Sequence, residues 1–342
     1  MRFHLPRRAR DFALGACLLA GLPAQASYSN LYVFGDSLSD TGNLHITTGG
    51  ALPDASEPYD LGRFSDGPLW IEALAAGLGL AADVAPFLDG GNNYAFAGAR
   101  VDASDTPPGL RAQIDGLWGA THAQADPDAL YVVVGGMNDM RDARSDHDTD
   151  AGRQAAAEVA YQELSDDIER LAALGARHIL VANLADLGVT PEAVGLGVEA
   201  ASTDATRRFN LLLDTLVGTL EAAHAGLDVD LLDVFGLSSA IRDDALHNGG
   251  GIYGITAVTA PCAGFAGSLG DSCEVSFFSD ALHPSARVHA LMGNAALAAL
   301  ADAPPAPVPV PGAWWLLVSG VAALTVTARR GAAGSRPPPK AL

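Results

Sequence analysis

Short β-branched or apolar runs alternate along this chain with longer stretches in which apolar positions recur every three to four residues. The runs at 31–34, 84–87, 130–134, 178–181 and 229–232 have the length of strands. Between them lie helical patterns. The clearest spans 150–174, where Leu164, Ile168, Leu171 and Leu174 fall four and three apart and Gly175 supplies a C-terminal stop. A second helix is expected over 206–224. Strands alternating with helices predict an α/β fold, a parallel sheet covered by helices on both faces. No internal repeat or linker interrupts the chain before residue 303, which predicts a single domain over 27–302.

Both ends break the pattern. Residues 1–26 read as a signal peptide, with a basic n-region (Arg2, Arg7, Arg8, Arg10), an apolar stretch over 12–22 and an A-x-A site at Ala24-Gln25-Ala26. Arg7-Arg8 is read as plain n-region charge, and the apolar stretch before Cys17 is too short for a lipoprotein signal. At the other end a Pro-rich linker, 303–311, leads into an uncharged apolar segment, 312–328, with Trp314 and Trp315 at one edge and Arg329-Arg330 at the other. That arrangement is expected to span a bilayer as a transmembrane sorting segment, 312–330, followed by a short basic tail, 331–342. The tail resembles the PEP-CTERM sorting signal of Gram-negative bacteria. The resemblance implies an exosortase-like processing partner and an exported protein at the cell surface or outside the cell, anchored transiently or stably through this segment.

Charge and cysteines narrow the picture further. The whole chain carries a formal −20, but residues 27–311 hold 12 arginines, no lysine and 39 carboxylates, a balance of −27. Such a surface repels nucleic acid, so no nucleic-acid partner is expected. Once the leader is removed, only Cys262 and Cys273 remain, and in an exported chain so close a pair is read most simply as a disulfide.

The candidate chemistry sits at strand ends, where open α/β sheets gather ligand groups. Ser37 follows the first strand and Asn138 the third. A strand-end serine is by itself most often a turn former, and becomes a nucleophile only with a base and an orienting acid within reach. Asp280 and His283, three apart in "FFSDALHPS", offer both, while a surface D-x-x-H or a metal site remains open from spacing alone. Gly98 and Asn138 are suitable donors for an oxyanion. His289 is read as a helix-surface residue, and the alternating Asp146, Asp148 and Asp150 as an acidic loop or helix N-terminus rather than a calcium loop.

Four blocks, "FGDSLSDTGN", "NNYAFAGAR", "GGMND" and "SDALHPS", occur in the order and approximate spacing of the SGNH (GDSL) hydrolases, and "GRFSDGPLWIEAL" and "VANLADLGVTP" between them resemble the bacterial GDSL lipase/esterase branch. The resemblance implies a three-layer α/β/α sandwich with a five-stranded parallel sheet. It also implies catalytic Ser37, Asp280 and His283, and an oxyanion hole of the Ser37 and Gly98 amides with the Asn138 side chain. Ala97 stands where many members carry a further glycine. The expected activity is ester hydrolysis by a serine esterase or lipase, with no cofactor, on a small-molecule or lipid ester. Alternatives are O-deacetylation of an acylated polysaccharide, acyl transfer to an alcohol, and, from another class, an inactive glycan-binding surface protein.

Overall fold

A computed structural model describes residues 28–146 and 149–302. The leader, the Pro-rich linker and the apolar sorting segment all lie outside these residues. Among the described residues no helix is long and apolar enough to cross a membrane.

Four parallel strands, β1 (Leu31–Phe34), β2 (Leu130–Val133), β3 (His178–Ala182) and β4 (Asp228–Leu232), form one sheet in the order β1-β2-β3-β4. β1 and β2 are buried at every position, as parallel strands covered on both sides must be. Their alternate side chains feed two cores. Tyr32, Phe34, Tyr131, Val133, Ile179 and Val181 face helices α4 (Asp150–Leu174), α6 (Glu199–Leu213) and α7 (Leu216–Ala223). Leu31, Val33, Leu130, Val132, Leu180 and Ala182 face α2 (Trp70–Leu78), α8 (Val234–Asn248) and α9 (Ala286–Asp302). Three layers result, so the expected fold class holds.

The run at 84–87 is not a strand. Val84 is buried, but Pro86 meets Asn93 only in an isolated bridge, and Phe87–Asp89 turns into a 3₁₀ helix. Proline has no amide to give a ladder. The place beside β1 is taken instead by the segment that follows. Val33 N donates to Asn92 O (3.1 Å), Tyr94 N to Val33 O (2.7 Å) and Phe96 N to Gly35 O (3.0 Å). Residues 92–96 thus lie parallel to β1 as an irregular fifth member of the sheet. Two further strands, β5 (Ala257–Pro261) and β6 (Ser276–Phe278), pair in parallel outside the main sheet. The turn between them is closed by a disulfide joining Cys262 and Cys273.

The helix at 150–174 has the expected bounds. Thr149 caps its start by accepting from Gly152 N, and Gly175 ends it at φ 117°. The helix expected over 206–224 is divided into α6 and α7, with Thr215 Oγ1 donating to the Leu212 carbonyl at the break (2.8 Å). Such a side-chain bond competes with the helical ladder, and apolar periodicity carries straight across it.

Candidate active site

The first block folds as a tight loop at the carboxyl end of β1. Asp36 Oδ1 accepts from Leu38 N (3.0 Å), and its carbonyl accepts from Ser39 N and Asp40 N (3.0 Å each). Full burial pushes the Asp36 carboxyl up to about 6. Asp40 is buried too, and its carboxylate collects the amides of Gly42 (2.8 Å), Asn43 (2.6 Å), Leu44 (3.1 Å) and Ala97 (2.9 Å). A side chain in the first block therefore grips the backbone of the second. Asn43 Nδ2 adds bonds to the carbonyls of Asn93 and Ala95, and Asn93 Nδ2 reaches back to Ser39 O (2.7 Å). Asp40, Asn43 and Asn93 were not among the expected site residues. Their signal was present as small polar residues inside otherwise apolar blocks.

Just past this interlock, Gly98 lines the same cleft as Ser37. Gly98 has φ +83°, a conformation that a side chain would strain, and any Cβ there would meet Pro107 Cγ at 3.4 Å. Among the described residues, neither the Ser37 nor the Gly98 amide donates to a protein acceptor. Asn138 stands at the start of α3 (Met137–Asp146), and its Nδ2 donates to Ala99 O (2.9 Å). Gly136, at φ +102°, makes the sharp exit from β2 that brings Asn138 there, with Phe209 packed where a side chain would go.

His283 and Asp280 come from the turn between β6 and α9. Its base is tied to the start of α2 through Asp66: Ser279 Oγ donates to Asp66 Oδ1 (2.7 Å), as does Ala286 N (2.8 Å). His283 is buried, with Nε2 at 2.9 Å from Ser37 Oγ and Nδ1 at 2.7 Å from Asp280 Oδ2. Asp280 Oδ1 accepts from the amides of Leu282 (2.7 Å) and His283 (2.6 Å), and the Tyr59 hydroxyl donates to Oδ2 (2.6 Å). Burial opposes ionisation of Asp280, yet the His283 charge and these hydrogen bonds outweigh it and hold the carboxyl well below the usual range.

The fold thus brings the five residues expected at the site, Ser37, Gly98, Asn138, Asp280 and His283, into the lining of one cleft. With the Asp280 carboxylate accepting Nδ1–H, the imidazole turns its Nε2 lone pair to Ser37 and can accept the hydroxyl proton. His289 does not lie on a helix surface. It is fully buried, its Nδ1 accepts from Trp70 N (3.3 Å), and burial together with nearby His283 pulls it down to about 3. The reason is the close approach of α9 to α2, where Gly293 lies against the Trp70 carbonyl. Asp150 sits exposed in the first turn of α4, paired with Arg153, while Asp148 lies outside the described residues. Asp66, Cys262 and Cys273 come within 4.8 Å of one another, but both sulfurs are consumed by the disulfide.

Two cavities meet at Ser37. An open cleft of about 960 Å³ has Ser37, Gly98, Asn138 and His283 in its lining and walls that include Leu44, Phe64, Phe87, Phe96, Pro107 and Leu117. A narrow one of about 50 Å³ runs from Ser37 and His283 between Met137, Leu237, Ile241, Phe277 and Met292. The walls of both are mostly apolar.

Residues 31–296 match the family model described as GDSL-like Lipase/Acylhydrolase. A phosphatidylcholine-sterol acyltransferase of Aeromonas hydrophila is 30% identical over 333 residues, a match covering 83% of this chain and 93% of that one. Esterase EstA of Pseudomonas aeruginosa is 29% identical over 328 residues, covering 82% of this chain but 48% of EstA, so the chain spans about half that relative's length. A solved structure of a lipolytic G-D-S-L protein from Veillonella parvula aligns with 79% of this chain and 96% of its own, at 17% identity and a TM-score of 0.42. By its sequence blocks, by the match along nearly all its described residues and by its full-length relative, this chain belongs to the GDSL-like lipase/acylhydrolase family and is a carboxylic ester hydrolase of the GDSL type.

Proposed function

We propose that the protein is an exported serine esterase or lipase in which Ser37 is the nucleophile, His283 the base and Asp280 the carboxylate that orients it. Ser37 Oγ attacks the ester carbonyl as its proton passes to His283 Nε2. The carbonyl oxygen becomes an oxyanion held by the Ser37 and Gly98 amides and by Asn138 Nδ2. The imidazolium then protonates the departing alkoxide, leaving an acyl group on Ser37. Water, deprotonated by His283, attacks that acyl group and releases the acid, restoring the serine hydroxyl. The observation that carries this reading is the unbroken chain from Ser37 Oγ through His283 to Asp280, beside two backbone amides left free of protein acceptors.

The mostly apolar walls of the cleft, with Leu44, Phe64, Phe87, Phe96 and Leu117, favour an ester with a hydrocarbon chain. Release by an alcohol in place of water is the second reading, favoured by the acyltransferase among the relatives. Product analysis with an added alcohol separates the two. Export is supported by the disulfide, which persists in oxidising compartments. Processing of the tail by an exosortase-like partner belongs to the same proposal and rests on the sequence of 303–330 alone.

In the test, wild type and Ser37→Ala are compared on nitrophenyl esters graded by acyl length and for labelling by a fluorophosphonate. The expected result is labelling of the wild type only and a kcat lower by roughly 10⁴-fold or more in the variant. A folded Ser37→Ala protein that still turns over would refute the assignment.

A further inference from the structure

We propose that Tyr59 is a positioning residue of this site: its hydroxyl holds the Asp280 carboxylate in the orientation that serves His283 and shares the charge of the oxygen that His283 uses. The inference rests on the Ser37, His283 and Asp280 reading above.

Asp280 receives four hydrogen bonds. Three come from within its own turn, from Leu282 N, His283 N and His283 Nδ1. Donors in that turn fix Asp280 only to the turn, whose own anchors are backbone and Ser279 contacts, Ser279 Oγ and Ala286 N on Asp66 and Glu192 N on the Ala281 carbonyl (2.8 Å), none of which reaches the carboxylate itself. The fourth, from Tyr59 at 2.6 Å, reaches across 221 residues of sequence and is its one side-chain tie to another part of the chain among the described residues. It lands on Oδ2, the same oxygen that accepts from His283 Nδ1.

Tyr59 is itself held from two sides. Its ring packs edge-on against Phe64 (5.6 Å) and Phe265 (4.9 Å), and Phe64 in turn lies against the His283 ring (5.1 Å). Phe265 belongs to the turn closed by the Cys262–Cys273 disulfide. Beside it, Ala266 N donates to the Glu57 carboxylate (Oε2, 3.1 Å), so the segment carrying Tyr59 is bound to that turn by a hydrogen bond as well as by rings. Burial and the neighbouring Asp280 push the Tyr59 phenol upwards, which keeps it a donor throughout the neutral range. The other charged groups around these residues are Glu57 and Asp54 facing Tyr59, Arg141 beside Asp280, and Asp36 and His289 near His283.

Two consequences follow from one bond. Without the phenol the carboxylate can rotate away from Nδ1, so fewer molecules hold the reactive geometry and kcat falls. Oδ2 also regains the charge that the phenol drew off and holds the imidazolium more firmly, so more acid persists on His283 at a given pH. The acid limb of the rate profile then moves to higher pH.

Tyr59→Phe tests this, since the ring and its packing are kept. With active sites counted by fluorophosphonate titration, kcat should drop by roughly 3- to 30-fold with KM changed less than about twofold, and the acid limb should rise by about 0.3 to 1 pH unit. In an Asp280→Asn background the same substitution should have almost no effect. Phe265→Ala, which keeps the hydroxyl but removes its ring support, should shift both readouts the same way by less. An unmoved acid limb in Tyr59→Phe, or an equal loss in the Asp280→Asn background, overturns the proposal. If the wild type neither hydrolyses esters nor takes up the probe, the serine hydrolase reading fails instead.

Discussion

At Asn138 the chemistry narrows to one side-chain amide. It keeps one hydrogen on Ala99 O and leaves the other for the oxyanion role proposed above, whereas the donors proposed at Ser37 and Gly98 belong to the backbone. Asn138→Ala should therefore lower kcat by about 10²- to 10³-fold with KM nearly unchanged, because the lost bond forms fully only as charge develops. A raised KM with kcat unchanged would instead place Asn138 in ground-state binding. The roles proposed for Ser37, Gly98, Asn138, Asp280 and His283 were all readable as motif positions. Tyr59, Asp40 and His289 were not. A tyrosine 221 positions from its partner leaves no spacing signal, and a histidine in an amphipathic stretch looks the same whether its face meets solvent or another helix.

Among the elements, the turn between β5 and β6 supports the site from outside it, reaching Tyr59 through Phe265 and Glu57 through Ala266. Its disulfide joins cysteines 11 apart in sequence, and in the chain-entropy view that constraint is worth about 2 to 3 kcal/mol. Replacing Cys262 and Cys273 by serine should lower Tm by roughly 3 to 6 °C in calorimetry. A Tm unchanged by the double replacement would mean that the turn is held by its packing alone. Periodicity located α4, β1, β2, β3 and β4 well, because each buries a regular set of side chains. It failed at 84–87, where an apolar run containing Pro86 meets the irregular segment at Asn93 in a single bridge and does not pair with β1, and at the break between α6 and α7.

Over the whole molecule, acidity dominates. Asp36 is raised to about 6 and Asp139 to about 7 by burial, and Asp230 to about 6 by burial and its neighbours Asp228 and Glu221. An unfolded aspartate releases its proton near pH 4, so between there and these higher values the native state holds protons that the unfolded chain has lost. Stability therefore falls as pH rises through this window, and repulsion within a chain of formal charge −20 acts in the same direction. Asp280 has the opposite sign. Its depressed value contributes stability that is complete above about pH 4 and is lost as pH falls below. Tm should be higher near pH 5 than at pH 8, and added salt should raise it at pH 8. Calorimetry at the two values decides this, and a higher Tm at pH 8 would contradict it.

By itself the sequence determined the layered α/β class, the strands at the centre of the sheet and the polar residues that its four blocks carry. These are local matters, set by side-chain period and by which residue follows a strand, and they survive in any one-dimensional reading. Only the tertiary structure decided that residues 92–96 rather than 84–87 flank β1, that His289 is buried, and that Tyr59 reaches Asp280. Each of those depends on which distant surfaces come together, and contact between segments far apart in the chain has no fixed spacing along it.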